Sequence, residues 1–199
     1  MFILYAVVLG VALGVALGGR LDGLAGLHFR WGWLALAGLI VQLVLFADPV
    51  AERIGSLGVP IYVASTAAVA LTVLANHAIA GMAVVAAGAL SNLAAILANG
   101  GYMPAAPGAL ATLGHLPPSE YSNSAIVAHP VLEPLTDLYA LPAWLPGHNV
   151  FSVGDVLIGL GVAIVIVVAM RSAGRLAAAD PAGRDAAADA PGGVVHADN

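Results

Sequence analysis

FSVGDVLIGLGVAIVIVVAM, residues 151–170, holds one carboxylate, Asp155, at the mouth of an otherwise apolar run that stops at Arg171. A membrane span needs about 20 mainly apolar residues to cross the hydrocarbon core, and the stretch from Val153 to Met170 reads as one. Composition extends that reading to the rest of the chain. Of 199 residues, 61% are hydrophobic and 9% charged, whereas a soluble domain carries about 25% charged residues. Lipid is therefore the expected solvent for most of the surface.

Working back from 153–170, four more segments qualify: 2–18, 31–47, 59–75 and 78–98. Their ends carry breakers or charge: Arg20 and Asp22, then Arg30 and Asp48-Pro49, Asn76-His77, and Asn99-Gly100-Gly101. The expected fold is an all-α membrane protein of five transmembrane helices, one polytopic domain over 1–171. A long outer loop, 99–152, joins the last two helices. Residues 172–199, rich in Ala, Asp and Gly without an apolar face, read as a disordered cytoplasmic tail. The first apolar run has no basic residue before it, which argues for a retained span rather than a secretory signal. An outside N-terminus and cytoplasmic C-terminus place Arg20, Arg30, Arg171, Arg175 and Arg184 inside and Arg53 alone outside, as the positive-inside rule requires. With Ala, Gly and Val in excess and no lysine, the composition suits a bacterial cell membrane. Cysteine is absent, which excludes disulfides, thiolate metal sites and a cysteine nucleophile. No basic stripe suggests nucleic acid, and no cofactor is called for.

Polar residues inside the spans draw the eye next. At 1.5 Å per residue, Gln42 lies roughly 16 Å past the cytoplasmic start of its span and Ser91 and Asn92 roughly 20 Å past theirs. Ser65 and Thr66 lie just below the outer surface. All fall in the outer half with Asp155, and unpaired amides in hydrocarbon are costly. With Asn99, these groups are expected either to bond between helices or to line a polar recess open to the outside. Gly10, Gly14 and Gly18, four apart on one helix face, allow close helix approach, within the chain or across a homodimer or another membrane partner. Asn99-Gly100-Gly101 suits a helix C-terminus, or the floor of a binding site. Ser152-Val-Gly-Asp155 is an S-x-x-D capping pattern, and capping alone accounts for Asp155.

The outer loop holds eight of the twelve prolines, no Arg, and His115, Glu120, His129, Glu133, Asp137 and His148. His129, Glu133 and Asp137 are spaced four apart, so on a helix they would share a face and could hold a metal, although Pro130 and Pro134 oppose that helix.

Three pieces, MFILYAVVLGVALGVALGGRL, LANGGYMP and FSVGDVLIGLG, resemble in order and spacing a bacterial membrane-protein family, domain of unknown function 5317. The resemblance implies a five-span membrane protein and brings no activity with it. A second, local likeness runs from Asp137 through Trp144 and Pro146 to Asp155. It is similar to the last catalytic region of lipoprotein signal peptidases, membrane proteases with paired aspartates. That resemblance implies a catalytic role for Asp155 alone. Ser152 and Gly154 depart from the motif, and Ser91-Asn92-Leu93, at the place of the other catalytic block, has no acid. The sequence supports a non-enzymatic module that binds a partner or ligand at the extracytoplasmic face. It leaves open an aspartate-dependent membrane hydrolase using Asp155 with Asp137.

Overall fold

The computed structural model describes residues 2–113 and 124–179. Five long apolar helices form its frame: α1 (Phe2–Ala16), α3 (Gly32–Leu45), α5 (Gly58–Ala75), α6 (Met82–Ala98) and α8 (Val153–Ala179). Short helices α2 (Asp22–Ala25), α4 (Asp48–Ile54) and α7 (Pro107–Thr112) occupy the connections. So do four two-residue strands: β1 (Met103–Pro104), β2 (Ser124–Ala125), β3 (Tyr139–Ala140) and β4 (Val150–Phe151). The chain is thus mostly helical. The helix containing α5, from Gly55 to Ala75, and α8 are long and apolar enough to cross a membrane; α1, α3 and α6 are shorter apolar helices.

The long helices pack as a curved row in the order α1, α8, α6, α5, α3, while α3 and α8 make no comparable contact. Glycine sets the closest approaches. A Cβ at Gly161 would lie 2.7 Å from Val85 N, and one at Gly88 would lie 2.8 Å from Ile158 N. The backbones of α6 and α8 therefore touch where no side chain fits between them. On the opposite side of α8, Gly10 sits against Ala163 and Gly14 against Met170. That glycine face of α1 is filled from within the chain, whereas Gly18 lies past the helix end with φ +75° and open space around its Cβ direction.

Several element ends differ from expectation. The fourth apolar helix starts at Met82 rather than 78, because Gly81 (φ +93°) turns the chain beside the Gly161 carbonyl. Asn76 fills the intervening turn, exchanging hydrogen bonds of 2.8 Å with the backbone N–H and carbonyl of Arg30. The last helix runs to Ala179, so 172–179, the start of the expected tail, are helical. The rest of that expected tail lies outside the described residues. Two apolar clusters hold the row together. Leu45, Tyr62, Ala95, Ile96 and Met103 pack near the long loop, and Val73, Met82, Val85, Ala86 and Val165 near the other end. Arg20, whose N–H donates to Met170 O at 2.9 Å, and Arg30, Arg171 and Arg175 share that second end.

Candidate functional site

Helix α6 ends in a Schellman-type turn: Gly101 N–H donates to Ile96 O at 2.8 Å, with Gly100 (φ +72°) and Gly101 (φ +94°) left-handed. Asn99 clamps the loop to this end, donating to Val131 O and accepting from Val131 N–H, both at 2.8 Å. The turn sends Met103-Pro104 over the helix ends as β1, and there the backbone of Asp137 is pinned. Asp137 N–H donates to Pro104 O at 2.9 Å, and Ala106 N–H donates to Asp137 O at 3.0 Å.

A hairpin then carries the chain to α8. β3 pairs antiparallel with β4, Tyr139 opposite Phe151 and Ala140 opposite Val150. Asp137 stands two residues before the first strand and Asp155 four after the second, so the register folds both carboxylates to one place. Phe151 stacks on Tyr139 and on Phe2 of α1, with centroids 5.5 and 4.6 Å apart. Tyr5 Oη adds a 2.6 Å bond to Pro146 O, so α1 supports the hairpin.

Asp155 has the expected reciprocal cap. Its N–H donates to Ser152 Oγ at 3.0 Å, and its Oδ2 accepts from Ser152 N–H at 3.1 Å; such a cap is worth about 1 kcal/mol. Asn92 closes the network from α6. Its Nδ2 donates to Asp155 Oδ1 at 2.9 Å, and its Oδ1 accepts from Ser152 Oγ at 2.8 Å. Gly154 is required here, because a Cβ would collide with Asn92 Oδ1 and come within 2.8 Å of Gly88 O.

Below the loop lies a recess of about 200 Å³. Leu39 and Gln42 of α3 face it, with Tyr62 and Thr66 of α5 and Asn92 and Ile96 of α6. Asp155 and Ile158 of α8 line the far side, and Met103 and Asp137 form the roof. Gln42 Nε2 bridges to Ser65 Oγ (3.3 Å) and Thr66 Oγ1 (3.2 Å). A second recess of about 320 Å³, lined by Phe2, Ile3, Leu4, Asn149 and Val150, also includes Asp137 and Asp155. Asp137 is buried. Burial, and after it the nearby charge of Asp155, push its carboxyl up from 3.8 to about 7. No basic side chain lines either recess among the described residues.

The structure therefore brings Gln42, Thr66, Asn92 and Asp155 to one cavity, with Ser65 behind Gln42. Asn99 serves the helix end and the loop instead. Ser91 Oγ is buried without a hydrogen-bond partner and does not reach the recess. The metal set of His129, Glu133 and Asp137 does not form. Leu132 turns left-handed (φ 55°) and Glu133–Leu135 is a single 3-10 turn, so the four-residue spacing never becomes a helix face. His129 and Glu133 are exposed while Asp137 is buried, and no metal-holding group of three His, Cys, Asp or Glu exists among the described residues. His115 and Glu120 lie outside them. Sequence reasoning missed Tyr62 and Met103 as cavity walls. Their only signal was apolar or aromatic character near a span end, which core residues share.

No curated protein and no solved structure matches the chain, so the likeness to lipoprotein signal peptidases around Asp155 finds no support there. A family match covers residues 26–167, taking in every residue that lines the recess below the loop and leaving α1 outside. The chain belongs to the family of unknown function DUF5317.

Proposed function

We propose that the protein is a five-span bacterial membrane protein in which Asp137 and Asp155 form a carboxylate dyad acting on a ligand held in the recess below the loop. Support for five spans comes from what the helices leave uncovered: Val8 is 61% exposed, Leu43 76%, Leu71 56%, Leu90 44% and Leu160 52%. Aliphatic surface on every long helix is unusual in water and ordinary against lipid. The three shorter helices span about 21–26 Å at 1.5 Å per residue, so they need a slightly thinned bilayer or help from their flanking turns. The clustering of Arg20, Arg30, Arg171 and Arg175 at one end supports a cytoplasmic location for that end and an outer one for the carboxylates.

One observation carries the functional reading. Two carboxylates share a cavity with no basic side chain in its wall among the described residues, and burial pushes one of them up to about 7. A buried acid raised in this way beside a second carboxylate is the arrangement of a hydrolytic dyad. Asp155, an acceptor on both oxygens, takes a proton from water as the water oxygen attacks an amide or ester carbonyl carbon. Asp137 donates its proton to the carbonyl oxygen. Collapse of the tetrahedral species returns that proton to Asp137, and the leaving amine or alcohol takes the proton held by Asp155. The apolar walls Leu39, Ile96 and Ile158 suit a substrate carried on an apolar chain. A second reading, a non-catalytic ligand-binding module, is favoured by the completeness of the Ser152–Asn92–Asp155 network, which explains Asp155 without chemistry.

Dicyclohexylcarbodiimide, which adds to protonated buried carboxyls, tests the dyad. The reagent should modify Asp137 below pH 7 and lose that reaction above it, and Asp155→Asn should move the profile to lower pH by removing the like charge. An Asp137 unreactive at every pH, or a profile indifferent to Asp155→Asn, rules the dyad out.

A further inference from the structure

The geometry points to two separate entrances to the carboxylate pair: a lipid-side entrance between α3 and α8 that admits the ligand, and a water-side entrance beside the α1 N-terminus that supplies the hydrolytic water. This rests on the dyad reading and extends it by assigning each cavity a ligand class, an apolar-chain carbonyl compound in one and water in the other.

The same two residues, Asp137 and Asp155, line both recesses, so the two cavities adjoin at the pair. The two cavities differ in depth. The first descends to Leu39, Val69 and Ala89, each near the middle of its helix. Its walls come from α8, α6, α5 and α3, consecutive members of the curved row, and the ends of that arc, α3 and α8, are not packed together. On the five-span reading, the gap between these two end helices puts the mouth of the cavity on the lipid side. The second stays at the helix ends. Its walls are the first turn of α1 and the start of β4, next to Asn149. Phe2 and Tyr5 of α1 are held to the hairpin by the Phe2–Phe151 stack and the Tyr5–Pro146 bond. A single opening would force substrate and water to exchange through one mouth. Two openings let water reach the acids while an apolar chain fills the other side.

Two carbodiimides read the entrances at one atom group, the Asp137 carboxyl, with the full chain in phosphatidylcholine liposomes below pH 7. Dicyclohexylcarbodiimide arrives through lipid, and a quaternary-ammonium carbodiimide only through water. Leu39 and Leu4 are 54% and 53% exposed, so Trp at either site blocks an opening without overfilling the core. Leu39→Trp should slow the lipid-soluble reagent at Asp137 several-fold and leave the charged one unchanged. Leu4→Trp should do the reverse. In variants that melt like the wild type, one plug slowing both reagents, or neither plug slowing either, overturns the proposal, as does failure of the charged reagent to reach Asp137 in the wild type. Because the chain has no cysteine, Leu39→Cys and Leu4→Cys repeat the test without a bulky residue. A lipid-soluble maleimide should favour the first and a charged methanethiosulfonate the second, and equal reactivity again sinks the idea. The cysteine reactions do not involve the carboxyls, so they separate failure of the entrances from failure of the dyad.

Discussion

Replacing Gly154 with Ala attacks the contact on which the Asp155 network depends. The new Cβ would collide with Asn92 Oδ1, lie 2.7 Å from Asn92 Cγ and lie 2.8 Å from Gly88 O. Asn92 can swing away only by giving up its bonds to Asp155 and Ser152, each worth about 1 kcal/mol. Gly88 O is helix backbone and moves only if α6 and α8 separate, an overpacking cost of about 1–3 kcal/mol. Gly154 lies in the first turn of α8, where replacing Gly by Ala returns at most about 1 kcal/mol. The net expectation is a loss of about 2–4 kcal/mol, or a melting temperature lower by about 5–15 °C for a chain of this size.

Gly159→Ala is the comparison variant, further along the same helix. Its Cβ would meet Ala6 Cβ at 3.0 Å and Phe2 Cε1 at 3.1 Å, contacts that a shift of a few tenths of an ångström in α1 relieves without breaking a hydrogen bond, so its melting temperature should fall clearly less than that of Gly154→Ala. Thermal unfolding in detergent, followed by helical circular dichroism, compares the two. Adding Asn92→Ala to Gly154→Ala removes the amide from the collision but leaves Gly88 O in place. The double variant should therefore be more stable than additivity predicts, as expected for residues in contact. If Gly154→Ala melts like Gly159→Ala, or the double variant is additive, the backbone of α6 is not pressed on α8 at this point and the network has been misread.

Asp137 makes stability fall with pH. Below pH 3.8 folded and unfolded chains both hold its proton; between 3.8 and about 7 only the folded chain does. Stability is therefore lost across that window, up to about 4 kcal/mol in all at 1.36 kcal/mol per unit. Asp137→Asn should abolish that part of the slope, and identical melting-versus-pH curves for variant and wild type would show that burial costs the carboxyl nothing. Asn99→Ala removes the clamp on Val131 and should cost about 1–2 kcal/mol and speed amide exchange in residues 131–137; unchanged exchange there would mean the loop is held elsewhere. Trp144→Cys, 80% exposed on the loop side, should react with an impermeant maleimide in intact cells, and exposed His77→Cys at the other end should react only after lysis. The opposite pattern reverses the proposed orientation and places the recess on the cytoplasmic side.

How much of this was legible in the sequence depends on how local each cause is. Ser152 and Asp155 are three residues apart, and their mutual cap follows from spacing alone. The turn at Asn99-Gly100-Gly101 is equally local, since left-handed backbone is cheapest for glycine. Helix starts were less legible. Gly81 makes its turn because the Gly161 carbonyl of α8 presses on it, which residues 76–82 do not record. The bond from Asn92 to Asp155 links positions 63 apart; the cost of an unpaired amide in lipid shows that Asn92 needs a partner but not which one. Asp137 was the least legible, because its place depends on the register of two-residue strands and on a backbone bridge to Ala105, neither of which has a compositional signature.

That difference bears on function. Gln42, Asn92, Asn99 and Ser152 each make hydrogen bonds that offset their burial, and removing function from the protein would leave their presence explained. Asp137 is another matter. It caps no helix, and the one ion pair among the described residues is Arg20–Asp22, at the opposite end. It is buried beside a like charge at a cost that an Asn or Leu would avoid. Strain of that kind persists at sites of function and elsewhere is readily lost by substitution. The case for chemistry at the recess below the loop therefore rests on Asp137 more than on Asp155, whose place at the helix mouth the local fold already explains.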